Sequence, residues 1–373
     1  MKFFVSAAKG TEPALRDELR ELGLRGVRAD RGGVHVEQGV WSDGPRICLH
    51  SRIASRVLTP LSTFDARGER ELYDGVRAIS LDHVLTPKQT LVVSAACRSS
   101  RSNHTEYLCQ LTKDAVVDRI RDRRGARPSV DKRDADVRLF LHLVKDVATL
   151  YLDLAGEPLH RRGFRAAGAE APLRETLAAA VLRYSGWDRK SALCDPACGS
   201  GTLLLEAALW SRHIAPGLGR ERFGFERWAT FDRGAAEELA TLRAEARAAA
   251  LSEGPPLLGR DVSLPALQQA EAMARRAGVA LHLTPAELAG LDDPTLGAIV
   301  ANPPYGHRLE RGADLGRDLA RLVDRHPDTN VALLLAEEQP LHRTRRRPAP
   351  PRAVFNGDIP CVVRAWLAAV SGR

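Results

Sequence analysis

The sequence predicts an α/β protein made of two unlike halves: a mixed α+β half, followed by a doubly wound sheet of mainly parallel strands. Alternating apolar residues at 137–143 and 148–154 indicate a half-buried hairpin in the first half. After residue 173, helices alternate with short apolar strands, which is the pattern of βαβ units. These strands are expected at 192–194, 257–258, 298–300 and 331–335. A closing hairpin is expected at 354–355 and 361–363.

The length of the chain and its linker-like segment predict three domains. At roughly 100–200 residues per domain, 373 residues allow two or three. The chain begins with strand, helix and strand: an apolar run at 3–5, a helix after Thr11, and an alternating segment at 34–36. The polar, glycine-containing segment 160–172 is typical of a linker. We predict domains over 1–50, 51–158 and 159–373, the last including the linker 159–172.

Charge and composition favour a polyanionic partner and exclude several classes of protein. The net charge is +8 and the isoelectric point about 9.4, which suits nucleic acid. Nearly all basic residues are arginine, with no lysine after Lys190, so a compositional bias is the alternative. No apolar run approaches the ~18 residues of a membrane span, and we expect a cytoplasmic protein without a membrane partner. The six cysteines form no CxxC pair, so neither a metal site nor a disulfide framework is expected.

The strongest local motif is the sequence DPACGSGT at 195–202, between a short strand and a helical run. Glycines permit a tight turn and a close ligand, and amides at a helix N-terminus bind anions such as a carboxylate. An aspartate at the strand end suits a cationic group better than a phosphate, and S-adenosylmethionine carries an ammonium and a sulfonium. The alternative is a tight turn without a ligand. The candidate cofactor contacts are Asp195, Pro196, Ala197, Cys198, Gly199, Gly201 and Thr202.

A second acid is expected beside this motif. Asp261 ends the strand at 257–258 and is a candidate for binding ribose hydroxyls, the alternative being a turn or helix-capping acid. Its distance from Asp195 is far greater than the ~20 residues of the dinucleotide pattern. We therefore interpret 210–254 as an insertion between the two strands.

The apolar run 298–301 ends in Asn-Pro-Pro-Tyr, the candidate catalytic motif. An exocyclic amino group is a poor nucleophile, and the Asn302 side-chain oxygen and Pro303 carbonyl can accept its N–H groups and aim its nitrogen. Two prolines stiffen the loop, and Tyr305 offers a face on which a base can stack. The alternative is a Pro-Pro pair that only ends a buried strand. The candidate catalytic residues are Asn302, Pro303, Pro304 and Tyr305, and Asn302 is also a candidate cofactor contact.

These residues resemble the amino-methyltransferase superfamily, and more narrowly the RNA guanine-N2 methyltransferases. Segments 163–165 and 171–178 look like the region that helps hold the cofactor in that family. Segments 223–228 and 355–357 resemble the bacterial 23S ribosomal RNA enzymes of the family. The resemblance implies a Rossmann-like class I methyltransferase domain using S-adenosylmethionine. It adds to the expected cofactor contacts Phe164, Arg165, Pro172, Leu173, Arg174 and Thr176.

The N-terminal half resembles a ferredoxin-like module followed by a THUMP domain, an RNA-binding unit, through segments 113–118 and 146–153. The resemblance implies methylation of guanine N2, with 23S ribosomal RNA as the leading substrate. The alternatives are transfer RNA, adenine in DNA, and a non-catalytic RNA-binding protein with a degenerate methyltransferase domain.

Basic residues of the N-terminal half are candidates for contacts to the RNA backbone. They are Arg98, Arg101, Lys113, Arg121, Arg123, Arg124 and Arg127. Interleaved Asp118 and Asp122 leave a solvated face as the alternative. Two segments depart from the family: the acid expected near the cofactor's adenine is missing at 283–287 or displaced to Glu287, and the loop 340–352 is unusually basic.

Overall fold

Two sheets organise the chain in this computed structural model, which describes residues 1–165, 173–304 and 312–368, with side chains of the last range from 315. One sheet has eight strands and lies in the N-terminal half; the other has seven and lies in the C-terminal half. None of the helices within these ranges is long and apolar enough to cross a membrane.

The N-terminal half forms one continuous sheet. Its strands are β1 (Phe3–Ser6), β2 (Val27–Asp30), β3 (Gly33–Val36), β4 (Arg56–Asp65), β5 (Thr90–Arg98), β6 (Ser129–Val130), β7 (Val137–Val144) and β8 (Val147–Asp153), and its helices are α1 (Glu12–Glu21), α2 (Asp43–His50), α3 (Glu69–Ala78) and α4 (Thr105–Arg124). The order is β2-β3-β1-β4-β8-β7-β5-β6, so β4 joins the first three strands to the rest. The sequence interpretation missed β2, whose four residues contain only Val27 and Ala29 as an alternating apolar pair.

The C-terminal half is a doubly wound sheet, and the predicted fold class is confirmed. Its strands are β9 (Leu193–Asp195), β10 (Leu257–Asp261), β11 (His282–Pro285), β12 (Ala298–Ala301), β13 (Asn330–Ala336), β14 (Arg352–Asn356) and β15 (Ile359–Trp366), and its helices are α5 (Glu175–Tyr184), α6 (Thr202–Ser211), α7 (Arg233–Ala248), α8 (Leu264–Ala277) and α9 (Gly312–Arg325). The order is β11-β10-β9-β12-β13-β15-β14, parallel from β11 to β13 and closed by the antiparallel β14–β15 hairpin. All four residues of β12 are buried, as expected when helices cover both faces of a parallel sheet.

The segment 210–254 packs onto the other half of the molecule. It contains 3-10 turns at Pro216–Gly219 and Gly224–Arg227, followed by α7. Phe223, Phe225 and Trp228 are at most 5% exposed and belong to the N-terminal hydrophobic core. The Phe225 amide also donates to the Leu154 carbonyl over 3.2 Å. The insertion predicted from the sequence therefore supplies part of the core of the half that precedes it.

A buried cluster of Arg52, Arg162 and Glu206 joins the two halves where they meet. Arg162 Nε lies 3.1 Å from Glu206 Oε1, and both side chains are at most 2% exposed. Arg162 also donates to the Arg52 carbonyl, while Arg52 Nη2 donates to the carbonyls of Leu209 (3.0 Å) and Ile214 (2.8 Å). Arg162 and Glu206 therefore have the hydrogen bonds that buried charges require. The first residues of the predicted linker are thus fixed between the halves.

Candidate active site

The DPACGSGT motif forms the turn from β9 to α6. Gly199 and Gly201 both have positive φ, +52° and +80°, which other residues rarely adopt. A Cβ on Gly201 would lie 2.8 Å from the Cβ of Ala270 in α8, so this glycine also permits close packing. A Cβ on Gly199 would meet nothing within 4 Å. The turn is therefore packed on one side and open to a ligand at Gly199.

Asp195 ends β9 as a buried carboxylate, 1% exposed. Its Oδ1 accepts a hydrogen bond from the Ala197 amide over 3.1 Å. Burial raises the pKa of Asp195 to about 8; the Ala197 amide opposes that rise and the charge of Asp261 adds to it. No basic side chain of the described ranges forms an ion pair with Asp195. Burial without a counter-charge makes this carboxylate suited to a cationic ligand group.

Asp261 ends β10, the strand beside β9. One carboxylate oxygen accepts the Gly199 amide (2.8 Å), and the other accepts the Ser263 amide (2.9 Å). Each oxygen keeps a further lone pair for a hydroxyl donor. Glu287, the candidate for the acid expected near the adenine, is exposed just beyond β11.

Arg165 links the first turns of α5 and α6. Its Nη2 donates to Thr202 Oγ1 (3.0 Å) and to the Leu173 carbonyl (3.3 Å), and its Nε pairs with Glu175. Phe164 is buried and its carbonyl accepts from Arg276 over 2.6 Å. The structure thus brings Arg165 and Thr202 together beside the glycine turn.

The other expected cofactor contacts lie in or near the same turns. Pro196, Ala197 and the buried Cys198 lie between Asp195 and Gly199, and burial raises the pKa of the Cys198 thiol. Arg174 is exposed just before α5, and Thr176 is buried in its first turn. The predicted contact Pro172 lies outside the described residues.

Asn302 follows β12 at the edge of the sheet where β9 ends. The parallel register pairs Ala298 with Leu193 and Ile299 with Cys194, so the loops after both strands leave the same edge. The Oδ1 of Asn302 is buried and has no hydrogen-bond partner in the described structure, which leaves a buried acceptor ready for a ligand's N–H group.

The rest of the Asn-Pro-Pro-Tyr motif is described in part. Pro303 is buried and Pro304 is exposed. The Pro304 carbonyl accepts from Gln339 Nε2 over 3.3 Å. Tyr305 lies outside the described residues. Sequence reasoning missed Gln339, which lies three residues after the end of β13. The rule that ligands bind at the carboxyl ends of parallel strands could have found it.

The basic residues predicted to contact RNA fall into two groups. Four lie near a carboxylate: Arg101 and Asp146 (3.6 Å), Lys113 and Asp114 (2.6 Å), Arg121 and Asp118 (2.9 Å), and Arg124 and Asp82 (3.8 Å). Three are exposed without such a partner within the described ranges: Arg98, Arg123 and Arg127. The second group has the greater freedom to bind phosphate.

Three family models match the chain in sequence order. A ferredoxin-like domain model of the RlmL type matches residues 2–58, a THUMP domain model 66–153, and an RMKL-like methyltransferase domain model 162–365. The resemblance recognised in the sequence is confirmed.

Curated relatives are similar over most of this chain. The ribosomal RNA large subunit methyltransferase K/L of Syntrophotalea carbinolica is 44% identical over 83% of this chain and 45% of its own length. The protein of the same name from Psychromonas ingrahamii is 37% identical over 98% of this chain and 50% of its own. The chain spans about half the length of the curated relatives it matches.

Solved structures extend the similarity to the whole fold. A methyltransferase candidate, SMU.472, complexed with SAH, superposes with a TM-score of 0.87 at 25% identity, over 100% of this chain and 99% of that one. A protein from Listeria monocytogenes, described as an N6-adenine-specific DNA methylase, superposes with a TM-score of 0.86 at 27% identity, over 99% and 96%. Both matches cover the two halves together.

Proposed function

Because this chain belongs to the family of RMKL-like methyltransferase domains, we propose that it is an S-adenosylmethionine-dependent methyltransferase of the exocyclic N2 of guanine in 23S ribosomal RNA. One observation carries the proposal: a buried carboxylate without a counter-charge and a buried amide oxygen without a donor follow neighbouring parallel strands at one edge. The first suits a cationic cofactor, and the second suits an aromatic amine.

The residues present fit S-adenosylmethionine. Asp195 would receive the ammonium group, Asp261 the ribose hydroxyls, and the open space at Gly199 would take the ligand against the backbone. Arg165 would hold the walls of this site through Thr202 rather than touch the cofactor. The methyl-bearing sulfonium supplies the electrophile when the cofactor is bound. The SAH held by the similar SMU.472 structure supports this assignment.

Positioning would provide most of the catalysis. Asn302 Oδ1 and the Pro303 carbonyl would accept the two N–H groups of the guanine amine and orient its nitrogen toward the methyl group. A base in paired RNA would first have to leave the stack. The hydrogen bond from Gln339 to the Pro304 carbonyl would fix the position of the loop. Tyr305 is proposed as the face on which the base stacks.

The RNA partner is proposed from the N-terminal half. The THUMP model and the names of the curated relatives support ribosomal RNA, with contacts from Arg98, Arg123 and Arg127 ahead of the four basic residues that lie near carboxylates. The division into 1–50, 51–158 and 159–373 and a cytoplasmic location stay predictions. Transfer RNA is the closest alternative substrate, and the Listeria neighbour's description favours adenine in DNA as a second candidate.

Methyl transfer with labelled donor tests the proposal. We expect incorporation into unmodified 23S ribosomal RNA transcribed in vitro, sensitive to ribonuclease, with N2-methylguanine recovered by mass spectrometry. Asn302→Ala should lose turnover yet keep cofactor affinity in calorimetry, because the side chain acts on the amine. Incorporation only into transfer RNA or DNA would show that 23S ribosomal RNA is not the substrate. Absence of cofactor binding would favour the non-catalytic alternative.

A further inference from the structure

A cavity of about 240 Å3 lies at the junction of the two halves. One wall is the loop after β1 with Lys9, another is the start of α5 with Arg174 and Thr176, and a third is the end of β14 with Phe355 and Asn356. The cavity therefore combines residues of the predicted RNA-binding half with residues of the methyltransferase half.

The cavity lies on the active-site edge of the sheet. Strand β15 is antiparallel to β13 and pairs Cys361 with Ala336, so the turn between β14 and β15 lies at the carboxyl ends of the parallel strands. Helix α5 begins at the same edge, since it precedes β9 and packs against the sheet. Its Glu175 pairs with Arg165, which binds Thr202 of the glycine turn. The first turn of α5 therefore lines the cavity and is linked through Arg165 to the cofactor motif.

The lining combines positive charge with an aromatic ring. Its only charged members within the described structure are Lys9 and Arg174, both exposed, and it contains no carboxylate. Lys9 Nζ lies 4.2 Å from the centre of the Phe355 ring. A second cavity of about 260 Å3, lined by arginines, also contains Asp134 and Glu157, which pair with Arg222 and Arg138. Of these two cavities, the first combines cations with an aromatic ring and has no carboxylate among its described lining residues.

The wall that carries Lys9 is fixed by close backbone contact. Gly10 has φ of +89°, and a Cβ there would lie 2.0 Å from the Ala353 carbonyl oxygen of β14. The Tyr184 hydroxyl donates to the Gly10 carbonyl over 3.0 Å. A ligand would therefore enter a preformed cavity rather than order a loose loop.

We propose that this cavity binds one unpaired nucleotide of the substrate RNA, next to the target guanine along the strand. The base lies against Phe355 and the phosphate is neutralised by Lys9 and Arg174. The inference rests on the proposed function, since it names a contact to the same RNA. It would let the enzyme select a single-stranded neighbour of its target, because only unpaired bases are free to stack on a protein ring.

Two variants test the site on the full chain with unmodified 23S ribosomal RNA transcribed in vitro. Phe355→Leu removes the stacking face, and Lys9→Gln removes one charge from an exposed residue. Loss of one stacked base predicts that KM for RNA rises about 5- to 150-fold in Phe355→Leu. In Lys9→Gln, the slope of log affinity against log salt should fall by about 0.7. In both variants kcat and the Kd for S-adenosylmethionine should stay within about twofold of wild type.

The matched control is Lys190→Gln, because Lys190 is an exposed lysine before β9 at the opposite edge of the sheet. This variant should change neither the KM for RNA nor the salt dependence of RNA affinity. Unchanged KM and salt slope in both variants, in the presence of wild-type activity, would overturn the inference and leave the proposed function intact. A weaker cofactor Kd in Phe355→Leu would assign the cavity to the cofactor and overturn it too. If wild type transfers no methyl to RNA, the proposed function fails. Fluorescence anisotropy with a short single-stranded oligoribonucleotide then tests the cavity by itself. Equal affinity of both variants and wild type for this oligoribonucleotide would reject the proposed nucleotide site.

Discussion

Asp195 should make cofactor binding depend on pH in a way that its replacement abolishes. Burial raises the pKa of this carboxyl to about 8, so near neutral pH the ligand-free protein holds it protonated. An ammonium group needs the ionised form, and at pH 6 only about one molecule in a hundred has it. Ionisation then costs about 1.4 kcal/mol per pH unit, or about 2.7 kcal/mol at pH 6.

The apparent Kd for S-adenosylmethionine should therefore fall about tenfold per unit between pH 6 and pH 7 and reach its minimum near pH 8. Above that point the cofactor's own amino group, with a pKa of about 7.7–8.0, begins to lose its charge. Calorimetry in two buffers of different ionisation enthalpy should detect release of nearly one proton at pH 6.

Asp195→Asn should bind the cofactor weakly, with neither the pH dependence nor the proton release, whereas the exposed Asp292→Asn should behave like wild type. The ligand-free protein offers an independent check. A pKa raised in the folded state stabilises the protein fully below the unfolded value of about 3.9, and this stabilisation is lost as the pH rises through about 8. The melting temperature of wild type should therefore fall over this range more than that of Asp195→Asn. A wild-type Kd that stays constant from pH 6 to pH 8 would refute the reasoning.

Three further perturbations follow from the geometry. Gly201→Ala should lower the free energy of unfolding by more than the roughly 1 kcal/mol cost of a positive φ, because the added Cβ would also clash with α8. The control is Gly23→Ala, where φ is +81° and no atom lies within 4 Å of the added Cβ, so urea unfolding of this variant measures the backbone cost alone. Arg162→Met should destabilise the protein by about 3–5 kcal/mol, because it leaves the buried carboxylate of Glu206 without its ion-pair partner. An unfolding free energy within about 1 kcal/mol of wild type would contradict this. Arg123→Gln combined with Arg127→Gln should weaken RNA binding and reduce its salt dependence; an unaltered salt slope would make them a solvated face.

Local patterns predicted the parts of the fold that are set by neighbouring residues. The alternation at 137–143 and 148–154 corresponds to the hairpin of β7 and β8, and the helix expected after Thr11 is α1. The two strand-end motifs were recognisable because parallel strands present their carboxyl ends at one edge, so Asp195 and Asn302 could be expected there from order alone.

Long-range packing could not be predicted in the same way. Arg162 and Glu206 are 44 positions apart, and nothing in either segment indicates that the other will share its buried site. The short strand β2 depends on pairing with β3 rather than on its own pattern. The ion pair of Arg124 with Asp82 likewise depends on the fold, because the two residues are far apart in the sequence.

The position of the segment 210–254 limits how the molecule can be divided. Phe223, Phe225 and Trp228 are encoded after the glycine turn yet complete the interior of the half encoded before it. Cutting the chain between the halves would expose this aromatic cluster to water in the C-terminal fragment. It would also leave a cavity in the hydrophobic core of the N-terminal fragment. The N-terminal and C-terminal halves are therefore expected to unfold in one cooperative transition, so an insertion or deletion in either should lower the melting temperature of both.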